Sequence, residues 1–172
     1  MLIMPDFEGP AVQAVKDLTR VMKDRARTEL SLPESEIIVR SMRPQDLGFA
    51  SGTYGQLAIT AANTATNLVA ANTIADNRYV GIYGIAANEA FSAAGTAELE
   101  HVRITRKGSV AREWNIRALQ LFENQTGWFS DPVILDQNTT VTIALFGSST
   151  STVADFELYG VTVEKRGLVV NP

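Results

Sequence analysis

This sequence lacks several residue types on which common kinds of functional site depend. Its 172 residues include no cysteine and a single histidine, His101. Without cysteine the chain cannot form a disulfide scaffold, a thiolate zinc site or a cysteine nucleophile. A metal site or catalytic relay built from several histidines is excluded as well, because only one is present. We therefore predict no metal, no cofactor and no catalytic residue, and we expect that the protein is not an enzyme.

Positive charge and long apolar runs are also scarce. The formal net charge is −4 and the pI is near 5.0, which disfavours a surface made for phosphate backbones. No apolar run approaches the roughly 18 residues that span a bilayer. Residues 1–10 lack the basic start and the apolar stretch of a signal peptide. We expect neither a nucleic-acid nor a membrane partner, and a protein that folds in the cytoplasm where it is made.

The polar residues that are present do not form a recognisable catalytic pattern. The acidic residues are scattered, and two of them, Asp131 and Asp136, fall in predicted turns, where aspartate is common. No serine lies in a G-x-S-x-G nucleophile elbow. His101, Arg103 and Thr105 share one side of a predicted strand and could form a polar cluster on a sheet face. We interpret His101 as a surface or interface residue.

The strongest pattern in the chain runs from Trp114 to Val163. Here β-branched and aromatic residues recur at every second position between clusters of Gly, Asn, Asp, Ser and Pro, which is typical of consecutive antiparallel strands. Such strands need a second sheet to cover their apolar face. With the weaker strands that precede this stretch, we count about eight. The sequence therefore predicts an all-β fold, an antiparallel β-sandwich that is jelly-roll-like and not immunoglobulin-like.

Two details of the predicted strands bear on packing. Val110 to Phe122 is predicted as one strand whose second half is apolar on both faces, as in a covered region or a subunit contact. In the last strand, Phe156 and Leu158 point one way. Val161 and Val163 can share that side only if an extra residue is absorbed at Gly160, where we predict a β-bulge.

One amphipathic α-helix is predicted before the sandwich. Gly9-Pro10 opens it, because proline at the first helical position loses no hydrogen bond. We divide the chain into residues 1–34, an arm and helix that form a docking element, and residues 35–172, the sandwich domain. Two interpretations of the helix remain open: it packs on its own domain, or it docks on a partner subunit. The excess positive charge on its outer faces, in an acidic protein, keeps the second interpretation open.

The candidate partner-binding residues lie on the helix and on a later aromatic pair. The aromatic pair follows Gly127, and these rings could meet a ligand or a partner, whereas Trp114 is expected to pack between the sheets. The candidates are Val15, Leu18, Met22, Arg25, Trp128 and Phe129.

Four segments carry a resemblance to a known class of proteins. They are R-E-W-N-I-R-A-L-Q-L-F, S-D-P-V-I-L, T-T-V-T-I-A-L-F-G and F-E-L-Y-G-V-T-V-E-K-R-G, which follow an arm, a helix and an Ala/Thr/Asn-rich β region. In this order they resemble small jelly-roll proteins of tailed-phage and related virus heads, over Ile37 to Gly167. The resemblance is one of pattern, so no functional residue is carried over position by position.

The resemblance implies a structural virion protein. In the proteins it resembles, a cement or decoration subunit sits on the outer capsid surface, usually as a trimer, and clamps neighbouring major capsid proteins. We therefore expect a homo-oligomer, with a trimer favoured, whose partner is the major capsid protein of a bacteriophage. The alternative is a carbohydrate- or receptor-binding β-sandwich module, such as a virion fibre head, that uses an aromatic platform.

Overall fold

The computed structural model describes residues 10–49, 56–88, 99–116, 119 and 126–168 of the chain. Within this part there are one long α-helix, two short 3₁₀ helices and nine β-strands. The 3₁₀ helices are Glu34–Glu36 and Pro44–Leu47. The long elements are α1 (Pro10–Glu29), β1 (Ile37–Ser41), β2 (Gln56–Ile59), β3 (Thr66–Thr73), β4 (Arg78–Asn88), β5 (Leu99–Arg106), β6 (Ser109–Asn115), β7 (Thr126–Leu135), β8 (Thr140–Gly147) and β9 (Ser151–Lys165).

The strands form two antiparallel sheets. Sheet I has the order β1-β9-β4-β7, with β2 paired to the first part of β9, and sheet II has the order β3-β8-β5-β6. From β2 onward, every connection crosses between the sheets except the one between β5 and β6. This is the strand order of a jelly roll, in which two Greek keys close a sandwich. The predicted fold class, an antiparallel β-sandwich with a leading helix, is confirmed.

The main hydrophobic core lies between the two sheets. Sheet I contributes Val80 and Ile82, sheet II contributes Ile104 and Ile143, and all four are fully buried. On β8 the inward residues are every second one, and Leu145 continues the series. This alternation follows from the pleat, which sends successive side chains to opposite faces.

A second apolar layer covers the outer face of sheet I. Leu18, Met22 and Ala26 of α1 pack there on sheet I residues that include Tyr79 and Val163. The helix therefore packs on its own domain, as the first of the two interpretations held. Sheet I is covered on both faces. Apolar residues therefore point to each face of its strands, as expected for a sheet buried on both sides.

This second layer explains why the predicted bulge at Gly160 is wrong. From Phe156 to Val163, strand β9 alternates without interruption: Phe156 and Leu158 point into the main core, and Val161 and Val163 point to the helix. The register shift lies instead on β4, where Ile82 pairs with Gly160 but Gly84 pairs with Tyr159. The sequence argument assumed a single core, and the helix provides a second one.

Other sequence predictions fall partly outside the described residues. These are the arm at residues 1–9 and the second half of the predicted strand Val110 to Phe122, apart from Ile116 and Leu119. The first half of that strand is β6, which ends at Asn115. The Leu119 N–H then donates a hydrogen bond of 3.0 Å to the Ile116 carbonyl, so the chain turns there and the prediction of one strand up to Phe122 is wrong. Trp128 to Pro132 belongs to β7.

Candidate docking face of the helix

The helix lies close to sheet I because one sheet residue has no side chain. A Cβ added at Gly81 would lie 2.6 Å from Met22 Sδ and 2.8 Å from Leu18 Cδ2. Real Cβ atoms do not approach other atoms this closely, so a side chain at position 81 would force Met22 and Leu18 to move. The inner face of α1 is thereby committed to the protein's own sheet.

Two polar contacts fix the C-terminal half of α1. The Tyr79 hydroxyl donates a hydrogen bond of 2.7 Å to Glu29 Oε2, and Arg25 Nη1 lies 2.5 Å from Asp136 Oδ1. Burial raises the pKa of Tyr79, and the Glu29 carboxylate raises it further. Asp136 belongs to the turn between β7 and β8, so the Arg25 pair ties the helix to the turn that joins the two sheets.

Four basic residues form a stripe on the opposite side of α1. Lys16, Arg20, Lys23 and Arg27 recur at spacings of four, three and four, which places them on one helical face. The Arg20 side chain is 70% exposed and that of Arg27 is 58% exposed. Pro10–Glu29 contains five basic and three acidic residues, so this helix carries +2 in a chain whose net charge is −4.

The stripe borders a surface cleft of about 390 Å³, which we call the basic groove. It is formed by the four basic residues with Val15, Thr19, Asp24 and Glu34. Glu34 places its carboxylate in the groove, with Oε1 2.8 Å from Lys23 Nζ and Oε2 3.9 Å from Arg27 Nη1. The hydrogen bond and the charge of Lys23 lower the pKa of Glu34. The groove therefore already binds one carboxylate of the chain itself.

The predicted partner-binding residues of the helix mostly lie elsewhere. Leu18 and Met22 are 5% and 0% exposed and contact sheet I, so a partner that binds the docked helix does not reach them. Arg25 is paired with Asp136. Val15 is half-buried and lines the basic groove. Partner binding by these residues stays a prediction. The structure makes the outward stripe a better candidate than the inward apolar stripe.

The two predicted aromatic residues both contact other rings of the fold. Trp128 lies against Tyr83 and Tyr159, with centroid distances of 5.9 Å and 5.4 Å. Phe129 stacks on Trp114 with centroids 3.9 Å apart and planes 2° from parallel. This stack joins β7 to β6, the edge strands of the two sheets on the same side of the sandwich. Trp114 packs against the main core there, as the sequence predicts.

Two residues of the predicted polar cluster on sheet II, His101 and Arg103, both contact Glu113. The His101 ring stacks on Phe146 with centroids 4.0 Å apart, and its Nε2 lies 3.2 Å from Glu113 Oε1. The Arg103 guanidinium also lies over the Phe146 ring, 4.7 Å from its centroid, and pairs with Glu113. Among the described residues, no group of three His, Asp or Glu side chains could hold a metal ion.

Sequence reasoning missed a buried cluster of four charged residues. Arg40 Nη1 lies 2.6 Å from Asp46 Oδ2 and its Nε lies 2.7 Å from Glu164 Oε1. Arg78 Nε lies 2.7 Å from Glu164 Oε2 and its Nη1 3.2 Å from Asp46 Oδ1. The four side chains are between 3% and 15% exposed. The one available signal was strand parity, because Glu164 follows Phe156 and Leu158 at even spacing and so faces inward.

Within this cluster, the neighbouring arginines favour the ionised form of Asp46. Burial by itself raises the pKa of Asp46, but hydrogen bonds from Arg40 and the Arg43 backbone, with the charges of Arg40 and Arg78, outweigh it and lower the pKa. Thr162 donates a further hydrogen bond of 3.1 Å to Asp46 Oδ2. The cluster joins β1, β4, β9 and the 3₁₀ helix Pro44–Leu47, so its role is to hold these segments together.

Comparison with known proteins does not place this chain in a family. No known family matches it, and no curated protein is significantly similar to it in sequence. In the part of the chain that the structure describes, no helix is both long and apolar enough to cross a membrane. The functional proposal therefore depends on the fold and on the surface of α1.

Proposed function

We propose that this protein is a structural virion protein, a capsid cement or decoration subunit that binds and stabilises neighbouring major capsid proteins from the outer surface. The observation that carries the proposal is the jelly-roll strand order, which the sequence resemblance to phage-head proteins implied. The step from this fold to this function is an analogy, because jelly rolls also occur in lectins and cupins.

The docked helix gives the proposal a mechanism. Because α1 is fixed to sheet I by the Met22 and Leu18 contacts and by the Arg25–Asp136 pair, its outward stripe has a defined position on the sandwich. A trimer would display three such stripes at once. Simultaneous contacts raise the overall affinity well beyond that of one contact, so modest single interfaces can hold capsid proteins together.

The test is binding to empty shells assembled from the major capsid protein of the same genome. We expect the purified chain to co-sediment with the shells, to saturate at a fixed ratio to capsid protein, and to raise the temperature at which the shells dissociate. Absence of the chain from the shell pellet at saturating concentration would overturn the proposal. Retention of the chain on a glycan array, lost in Trp128→Ala, would instead support the carbohydrate-binding alternative.

Deletion of residues 1–30 is a poor test of helix docking. The deletion would expose Tyr79 and Val163, which are fully buried, partly under α1, and would weaken the fold itself. Point changes on the exposed side of α1 avoid this problem. Lys16→Glu leaves every buried contact of the helix in place, and Lys107→Glu makes the same charge change in the turn between β5 and β6.

A further inference from the structure

We infer that the basic groove of α1 is a docking site for an acidic segment of a partner protein. The groove is the surface of α1 that would contact the partner, and the partner's contacting segment is acidic. That the partner is a capsid protein rests on the proposed function. Lys16, Arg20, Lys23 and Arg27 are the residues of the groove that meet this segment.

Glu34 shows what kind of group the groove accepts. Its carboxylate enters from the segment that follows α1 and bonds to Lys23 at 2.8 Å while remaining 57% exposed. It occupies only the C-terminal end of the stripe. At the N-terminal end, Lys16 is exposed and has no ion-pair partner among the described residues, and Arg20 pairs only with Asp17, at 3.2 Å. A second carboxylate, from outside the chain, can bind there.

The size of the groove suits a short segment of chain. Lys16 and Arg27 are eleven residues apart on α1, which is about 16 Å at the helical rise. About five residues of extended chain cover the same distance. Val15 gives the cleft an apolar surface beneath the charges. An acidic segment that also carries an apolar side chain therefore meets both features of the groove.

The acidic residues of the groove favour a protein over a nucleic acid or an anionic lipid surface. Asp24 and Glu34 line the groove, and Asp17 pairs with Arg20 at its border. A phosphate backbone or a lipid headgroup layer is continuously negative and would meet these carboxylates as like charges. Carboxylates on a protein can be spaced so that they meet the basic side chains and avoid the acidic ones. Complementary charge patterns of this kind disfavour wrong partners.

The experiment measures binding of a fluorescent peptide to the full chain at low salt. The peptide has about eight residues, in which Asp and Glu alternate with Leu. It is longer than the roughly five extended residues that the groove spans. We expect the peptide to bind, the same peptide with Asn and Gln in place of the acids not to bind, and added salt to weaken binding. We expect Lys16→Glu to weaken binding by about tenfold, because charge reversal turns one exposed attraction into a comparable repulsion.

Lys107→Glu is the matched control, because it makes the same charge change at an exposed turn away from the groove. We expect it to leave peptide affinity within twofold of the unaltered chain. Equal weakening by Lys16→Glu and Lys107→Glu would overturn the inference, since net charge alone would then explain the binding. No binding of the acidic peptide, or tighter binding of duplex DNA or anionic vesicles, would overturn it as well. Unfolding midpoints equal to that of the unaltered chain show that the variants are folded. Arg20→Gln removes one positive charge from the same groove without reversing it, and is therefore a milder change than Lys16→Glu.

The shell assay separates this inference from the proposed function. If the unaltered chain fails to bind shells but binds the acidic peptide through Lys16, the capsid role is wrong and the groove remains a docking site. If the chain binds shells and Lys16→Glu binds them equally well, the capsid role stands and the groove is not its docking surface.

Discussion

The four buried charges of Arg40, Asp46, Arg78 and Glu164 depend on one another. Each carboxylate contacts both guanidinium groups, so removal of one side chain leaves an uncompensated charge in a site with little water. Removing one partner of a buried ion pair is strongly destabilising, whereas replacing the whole pair by well-packed apolar residues often changes stability little. The stability of this part of the sandwich is therefore sensitive to the loss of any one of the four side chains.

We expect Asp46→Asn to lower the free energy of unfolding by about 3–5 kcal/mol, because the two buried arginine charges are then left with one carboxylate between them. Urea unfolding followed by circular dichroism measures the change. Asp24→Asn is the control, since Asp24 is exposed on α1. We expect that change to cost less than about 0.5 kcal/mol, as is usual at a surface position. Similar losses in both variants would contradict the role assigned to the cluster.

The same carboxyl predicts how stability depends on pH. Because Asp46 has a lowered pKa in the folded protein, its contribution is present above the pKa of about 3.9 that an unfolded aspartate has. That contribution is lost as the pH falls through the lower, folded pKa. We expect the free energy of unfolding to decrease below about pH 5, and to decrease less steeply in Asp46→Asn. Parallel pH profiles of the two proteins would contradict this prediction.

At the scale of the element, helix α1 has two faces with separate tasks. Its inner face binds sheet I over Gly81, and its outer face carries the basic stripe. The helix's apolar stripe is therefore needed for folding, and its charged side is available for a partner. The sequence left open whether the apolar stripe with Leu18 and Met22 packs on the protein's own domain or docks on a partner, and in the structure both residues pack on sheet I.

A pair of neighbouring residues tests this division. We expect Met22→Ala to lower the free energy of unfolding by about 2–5 kcal/mol, because Met22 is fully buried between α1 and sheet I. Val21 is 39% exposed, and we expect Val21→Ala to cost less than about 1 kcal/mol. Chemical denaturation of both variants measures the difference. Equal, small losses would mean that α1 is not docked on sheet I in solution.

At the scale of the whole molecule, the fold has a helix, sheet I and sheet II as three successive layers. Charge is unevenly divided among them, since the helix is positive and the remainder of the chain is negative. A molecule of this kind presents a positive side to a partner and keeps a net negative charge elsewhere. The negative remainder disfavours non-specific association with nucleic acid.

We predict that the purified chain is a trimer, as the resemblance to phage-head proteins implies. Size-exclusion chromatography with light scattering is expected to give a mass close to three times 18.7 kDa. We expect Lys16→Glu to give the same mass, because the basic groove is assigned to a different partner. A mass of one chain over the micromolar range would contradict the trimer.

The sequence predicts the strands better than it predicts how they are covered. The alternation on β8 identifies Val141, Ile143 and Leu145 as core residues, because a pleat has only two faces and one of them is uniformly apolar. On β9 the same reasoning fails. Val161 and Val163 are apolar at the opposite parity from Phe156, and a bulge and a second covering layer are equally compatible with that pattern.

What the sequence by itself determined is the class of fold, the leading amphipathic helix and the exclusion of chemistry based on cysteine or several histidines. These follow from composition and from periodicities that depend only on local backbone geometry. The tertiary structure alone decided that α1 lies over Gly81, that Glu164 meets Arg40, and that the basic stripe of α1 faces away from sheet I. Those outcomes join residues far apart in the chain, and a residue's partner across such a distance is fixed only when the sheets and the helix pack together.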